Sequence, residues 1–229
     1  MSDRQSAPRL RSYFFRIGSE AVLIIVSVFV AILLESMWQD RTERQDAREA
    51  LAQVRTSLAE DRVFFDRVEA EQRAAAEGIE LLIQWFSNPG SSPGKEVLEA
   101  LDYSMPISIW PRRAAWNTMV SAGQLRLLDA PNLTTRIGDY YEHHLQRIEY
   151  NGRQYDDVFV DVFEDDLPKI WNFEQQELLT ADPARLVEFR NRLAQLYKWI
   201  EYYLASVETN RRLLEALIED IDRYLREFD

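Results

Sequence analysis

The chain contains no cysteine, which excludes a disulfide framework, a thiolate nucleophile and any cysteine-ligated zinc or iron–sulfur centre. Histidine is almost as scarce, with only the adjacent pair His143-His144. Only 7 glycines and 8 prolines occur in 229 residues, too few for a loop-rich or low-complexity chain. Cations are the minority charge, 27 Lys+Arg against 39 Asp+Glu, for a net of −12. That balance argues against a nucleic-acid partner, since phosphate binding needs clustered cations. No Gly-x-Gly-x-x-Gly, Walker A loop, nucleophile elbow or HExxH is present, so the common catalytic classes lack their local signatures and no enzyme is expected. No cofactor is expected either.

What remains is apolar and periodic. With 46% hydrophobic residues the chain can bury a sizeable core, and their spacing is helical. One stretch, Ala21–Leu34, is apolar on every face apart from Ser27, whereas a core helix of a soluble protein usually keeps a polar stripe. Fourteen residues of helix span about 21 Å, and extension from Ile17 to Trp38 reaches the ~30 Å of a hydrocarbon core. Glu20 and Glu35 then fall at the two interfaces, Arg16 lies one turn from Glu20, and Tyr13 and Trp38 suit the aromatic belts. The end of the run lacks a small-x-small cleavage site, so it reads as a retained anchor. Ser27 and Ala31 form a small-xxx-small step on which another helix could pack.

The charge divides at this anchor. Residues 1–38 hold four arginines and three carboxylates, a surplus of +1, which leaves −13 for residues 39–229. Four arginines precede the span and four follow it (Arg41, Arg44, Arg48, Arg55), so positive-inside counting is a draw. The short tail with arginines against the span is the usual form of a signal anchor, and it places the acidic bulk outside the cytoplasm. The organisation expected is a basic tail at 1–16, a transmembrane anchor at 17–38 and an acidic helical domain at 39–229.

Two long seams define that domain. A 4-3 spacing selects Ala47, Leu51, Val54, Leu58, Asp61, Phe65, Val68, Gln72, Ala75, Ile79, Leu82 and Phe86, ten of the twelve apolar. A second runs from Leu186 to Phe228 with Asn210 as its lone polar member, which either fixes register against a partner helix or sits partly exposed at a frayed layer. Asp182 and Pro183 mark the start of that helix as N-cap and first helical residue. A third helix is expected from about Pro131 to Leu167, with Leu133, Ile137, Tyr140, His144, Ile148, Tyr155, Val158 and Val162 inward. Shorter helices are expected near 95–104 and 112–122, the latter capped by Gly123. The first and last helices match in length, about 72 and 69 Å, and their seams predict antiparallel packing. The fold class is therefore all-α: a transmembrane helix continuing into an elongated antiparallel bundle.

Gly18-Ser-Glu20, the apolar helix with Ala31, and Trp38-Gln-Asp-Arg41 resemble an uncharacterised bacterial family of small single-span membrane proteins with a domain of unknown function. The resemblance continues in Trp116-Asn-Thr-Met-Val-Ser-Ala-Gly123-Gln-Leu-Arg-Leu-Leu128 and the Tyr140-Tyr141 pair, and covers about 16–45 and 110–145. Ser19 and Met37 depart from the family pattern. The resemblance implies anchoring in a bacterial inner membrane and a helical domain, but no activity.

Three features offer chemistry or contact. Asp157, Asp161 and Asp165 repeat every four residues and form a candidate cation face, against the simpler reading of a solvated surface. The histidines read as a surface pair with Asp139 and a packed His144 beside Tyr140. Trp110 and Trp116 either contact a partner or close the end of the core. The expected partners are the lipid bilayer and other membrane-protein subunits. The function expected is a membrane-anchored protein acting by contact, as an accessory or stabilising subunit of a larger complex such as a respiratory or photosynthetic one. The alternative is a tethered sensor or ligand-binding ectodomain signalling through a partner.

Overall fold

A computed structural model describes residues 7–88, 92–102 and 107–228, with side chains from Leu23 onward. Helix α1 runs unbroken over Ala7–Ser87, 81 residues. Nothing between Ser19 and Glu77 is glycine or proline, so no residue interrupts its hydrogen-bond ladder. Short helices α2 (Lys95–Leu101) and α3 (Ala114–Ser121) follow. Gly123 adopts φ +67° just past α3, the left-handed conformation that ends a helix, and its amide donates to the Val120 carbonyl. A 3-10 turn at Gln124–Leu127 leads into the third long helix.

That helix is not uniform. It consists of α4 (Pro131–Asp139), a π turn at Tyr140–His144, α5 (Leu145–Val160), a second π turn at Asp161–Asp166 and a closing 3-10 turn at Leu167–Lys169. Each π turn inserts one residue into the helical phase. Two consecutive side chains therefore face inward at each, Tyr140-Tyr141 and Val162-Phe163. The shift corrects the expected stripe. His144 is exposed and Leu145 takes its place in the core, while Phe159 is buried and Val158 only half so.

A two-residue antiparallel hairpin, β1 (Trp171–Asn172) and β2 (Glu177–Leu178), precedes α6 (Pro183–Arg226). Asp182 caps α6, its carboxylate accepting from the Ala184 amide at 3.0 Å with Pro183 in the first turn.

Helices α1 and α6 pack antiparallel along their whole shared length. Arg48 lies over the Phe228 ring at one end, Arg55 pairs with Asp222 at 2.8 Å, Arg73 with Glu208 at 2.7 Å, and Phe86 meets Phe189 edge-on at the other. All twelve α1 seam residues are buried, as are the α6 seam residues from Leu186 to Tyr224; the last expected member, Phe228, lies past the end of α6 and is exposed. Each large aliphatic or aromatic side chain removed from water contributes about 1.5–3 kcal/mol, so these seams dominate stability. Asn210 is buried, but its amide donates to the Ser206 carbonyl of its own helix at 2.9 Å, and among the described residues it makes no bond across the seam.

Among the described side chains of α1, from Leu23 onward, the first core residue is Ala47. From Leu23 to Trp38 the apolar side chains lie open, with Trp38 at 74% exposure. Among the described residues this is the one helix long and apolar enough to cross a membrane. The Ser27 hydroxyl donates to the Leu23 carbonyl at 2.7 Å, which satisfies it within the helix. Ala31 and Glu35 are exposed on the same segment. Tyr13, Arg16 and Glu20 lie outside the described side chains.

Candidate functional site

Asp61 and Gln72, the two polar interruptions of the α1 seam, are both fully buried. Their role becomes clear from what crosses them. Residues 107–113, Ile-Ser-Ile-Trp-Pro-Arg-Arg, form a non-helical strap along the bundle. Helix or sheet cannot satisfy the backbone groups of such a segment, so side chains must. Glu71 accepts from the Ile107 amide at 3.3 Å, and Gln72 donates to the Ile107 carbonyl at 3.4 Å. Ser108 donates to Asp156 of α5 through a short hydrogen bond. The Tyr203 hydroxyl of α6 accepts from the Ile109 amide at 2.9 Å. Asp61 accepts from the Arg112 amide at 3.1 Å and from its guanidinium at 2.9 Å. Three long helices thus hold one strap.

Gly152 makes room for this arrangement. A Cβ there would come within 3.2 Å of the Tyr203 hydroxyl, so any larger residue pushes on the atom that holds Ile109. Tyr203 is itself clamped by stacking on Tyr155, with ring centroids 5.5 Å apart.

The electrostatics follow from burial. Burial pushes the Asp61 carboxyl above its ordinary range, and the Arg112 hydrogen bonds only partly oppose this. Burial likewise raises Asp156 against its bond from Ser108, and pushes the Tyr203 phenol up to about 12. The first π turn sets Tyr140 and Tyr141 beside this region. Their hydroxyls are buried with no hydrogen-bond partner among the described residues, and burial, reinforced by the Asp61 charge, raises both phenols. Arg113 ties the strap's end to the same turn, donating to the Tyr141 carbonyl at 3.1 Å and pairing with Glu149 at 3.1 Å.

The two tryptophans part company here. Trp116 is buried, stacked on Tyr141 with centroids 5.0 Å apart, and its indole donates to Glu142 at 3.2 Å. It closes the core and offers no surface. Trp110, midway along the strap between the buried Ile109 and the half-buried Pro111, is 65% exposed.

The acidic cluster is split by the second π turn. Asp157, Asp161 and Asp165 all face solvent, and Asp161 lies 3.5 Å from Arg192. Asp156 turns to the strap instead, and Asp166 bonds Lys169 at 2.9 Å and Arg192 at 3.0 Å. Although burial opposes them, those two cations hold the Asp166 carboxyl below its usual range. Asp166, Lys169 and Arg192 line an open groove of about 780 Å³ at the bundle end farthest from the apolar segment, with Ile170, Arg185 and Phe189. Among the described residues no three His, Asp or Glu side chains converge to hold a metal ion. His143 and His144 are both exposed.

The polar interruptions Asp61 and Gln72 were the one visible signal of the strap. Ser108, Tyr203 and Gly152 give no such signal, because their partnership joins residues up to 95 positions apart in sequence.

The molecule is an all-α bundle of long antiparallel helices, whose first helix begins with one exposed apolar segment of membrane-crossing length. The chain belongs to DUF6090, a family of unknown function, which it matches over residues 20–197. That range takes in the strap, both π turns and the first part of α6. No curated protein matches the chain, and no solved structure does.

Proposed function

We propose that the chain is a non-enzymatic, membrane-anchored helical protein that acts by contact, as an accessory or stabilising subunit of a larger membrane assembly. The observation that carries this reading is the continuity of α1. One helix presents uncovered apolar side chains from Leu23 to Trp38 and then, from Ala47 onward, forms the spine of a fully packed bundle. Uncovered apolar surface on this scale needs lipid or another apolar helix. Asp61, Asp156 and Tyr203 support the reading from the other side, since their hydrogen bonds are spent on holding the strap. In this reading the N-terminal tail is cytoplasmic, residues 17–38 cross a bacterial inner membrane and the acidic bundle stands in the periplasm.

Mild-detergent extraction of a tagged copy from its native membrane, followed by native electrophoresis, tests the assignment. Migration within a larger species is expected. Migration only as the free monomer defeats it. Protease protection in intact spheroplasts tests the sidedness, with digestion of the bundle from outside the expected result.

A further inference from the structure

We infer that the strap presents Trp110 as the anchor for a basic, Lys- or Arg-bearing segment of a partner's extramembrane domain, an inference that rests on the contact function proposed above. Beyond the Leu23–Trp38 segment, other large apolar residues stand exposed singly, Val63 on α1 at 63% and Leu179 beside the hairpin at 55% for example, and single exposed positions are ordinary. Trp110 differs in how it is held. The backbone on either side is fixed by hydrogen bonds from α1 and α6, and the Ser108 side chain by Asp156 of α5; two of the α1 groups, Asp61 and Gln72, are placed in its seam at the expense of apolar packing. An aromatic side chain on a fixed backbone loses little further freedom when a partner binds, and tryptophan is the residue most enriched among interface anchors.

Height and charge choose the occupant. Ile107 is tied to Glu71 and Gln72 and Arg112 to Asp61, so Trp110 lies level with about residue 65 of α1. That is about 40 Å along the helix from Trp38, well beyond the reach of lipid headgroups. Five carboxylates touch the strap (Glu60, Asp61, Glu71, Glu149 and Asp156), against its own two arginines, and residues 39–229 carry −13 in all. An exposed indole on a strap and a domain that both carry a negative surplus favours a cation over its face and disfavours a second copy of this acidic chain.

The full-length protein in native membranes provides the test. A photoreactive phenylalanine analogue at position 110 should give adducts at least tenfold above the same analogue at position 63, a site of equal exposure and similar height. Mass spectrometry should map them to a Lys- or Arg-bearing segment of another membrane-bound polypeptide. Adducts to lipid, to a second copy, to an acidic segment, or equal yields at both positions overturn the inference. In parallel, Trp110→Ala should reduce the larger species on native gels roughly tenfold, with Trp110→Phe retaining most of it and the melting temperature of both unchanged. A larger species undiminished in Trp110→Ala refutes this surface while leaving the contact function standing. A wild-type protein that migrates alone refutes both.

Discussion

Gly152→Ala should destabilise the protein, and the same change should stabilise it once the Tyr203 hydroxyl is gone. In mid-helix, replacing glycine by alanine gains about 1 kcal/mol from backbone entropy and helix propensity. At position 152 the new Cβ meets the Tyr203 hydroxyl at 3.2 Å, whereas its next neighbours, Ser108 Cβ and Tyr203 Cε2, lie at an ordinary 3.5 Å. Tyr203 is fully buried and stacked on Tyr155, so it cannot swing aside; the hydroxyl must move and its bond to the Ile109 amide must lengthen. Ile109 is buried too; orphaning its amide outright would cost about 1–3 kcal/mol, and a bond stretched by a few tenths of an ångström loses a share of that on top of the steric strain. The steric loss exceeds the propensity gain, for a net destabilisation of about 1 kcal/mol, or roughly 2–4 °C in melting temperature for a domain of this size. Tyr203→Phe alone should cost about 1–3 kcal/mol by orphaning the same amide. In that background only the two contacts at 3.5 Å remain, and Gly152→Ala should gain about 1 kcal/mol. Chemical denaturation of all four proteins closes the cycle, with an expected coupling of about 2 kcal/mol. Equal effects of Gly152→Ala in the two backgrounds would refute the assignment of that space to the hydroxyl.

Other consequences are as direct. Burial raises the Asp61 carboxyl, so the folded state holds this proton to higher pH than the unfolded chain does; the associated stability is present below the ordinary carboxylate range and lost as pH rises through the raised value. The stability of wild type relative to Asp61→Asn, followed by circular dichroism from pH 4 to 7.5, should therefore fall as pH rises, and a rise would mean that Arg112 outweighs burial. Asp182→Ala, which removes the cap of α6, should cost about 1 kcal/mol in urea unfolding, and an effect near zero would show that Pro183 alone sets the helix start. A protein comprising residues 39–229 should be water-soluble and melt within about 2 °C of the full chain in detergent, because from Leu23 to Trp38 the apolar side chains of α1 are exposed and core burial starts at Ala47. A large loss of stability would place packing on the apolar segment.

How much of this was legible in the sequence depended on the range of the interaction. The α1 and α6 seams are repeated local patterns, and the residues they selected line the core from Ala47 to Phe86 and from Leu186 to Tyr224. The cap at Asp182 and the turn at Gly123 are equally local and equally readable. His144 was misplaced because a π turn changes the helical phase without a composition signal of its own. The candidate site was legible only in part. Asp61 and Gln72 are polar members of an otherwise apolar seam, but the strap they hold is defined by contacts to α1, α5 and α6 that no spacing rule encodes. Trp110 and Trp116 are six residues apart and chemically alike; Trp110 stands on the open side of the strap, whereas Trp116 belongs to α3 and stacks on Tyr141 in the core.

The unbroken course of α1 has a mechanical consequence. With neither glycine nor proline from Ser19 to Glu77, bending is spread along the helix rather than gathered at a hinge. The helix then works as a lever whose fulcrum lies at its apolar end. From Trp38 to Ser87 the arm is about 74 Å, so a 10° change in tilt carries the far end through about 13 Å. A small reorientation at the fulcrum thus becomes a displacement at the tip as wide as a helix.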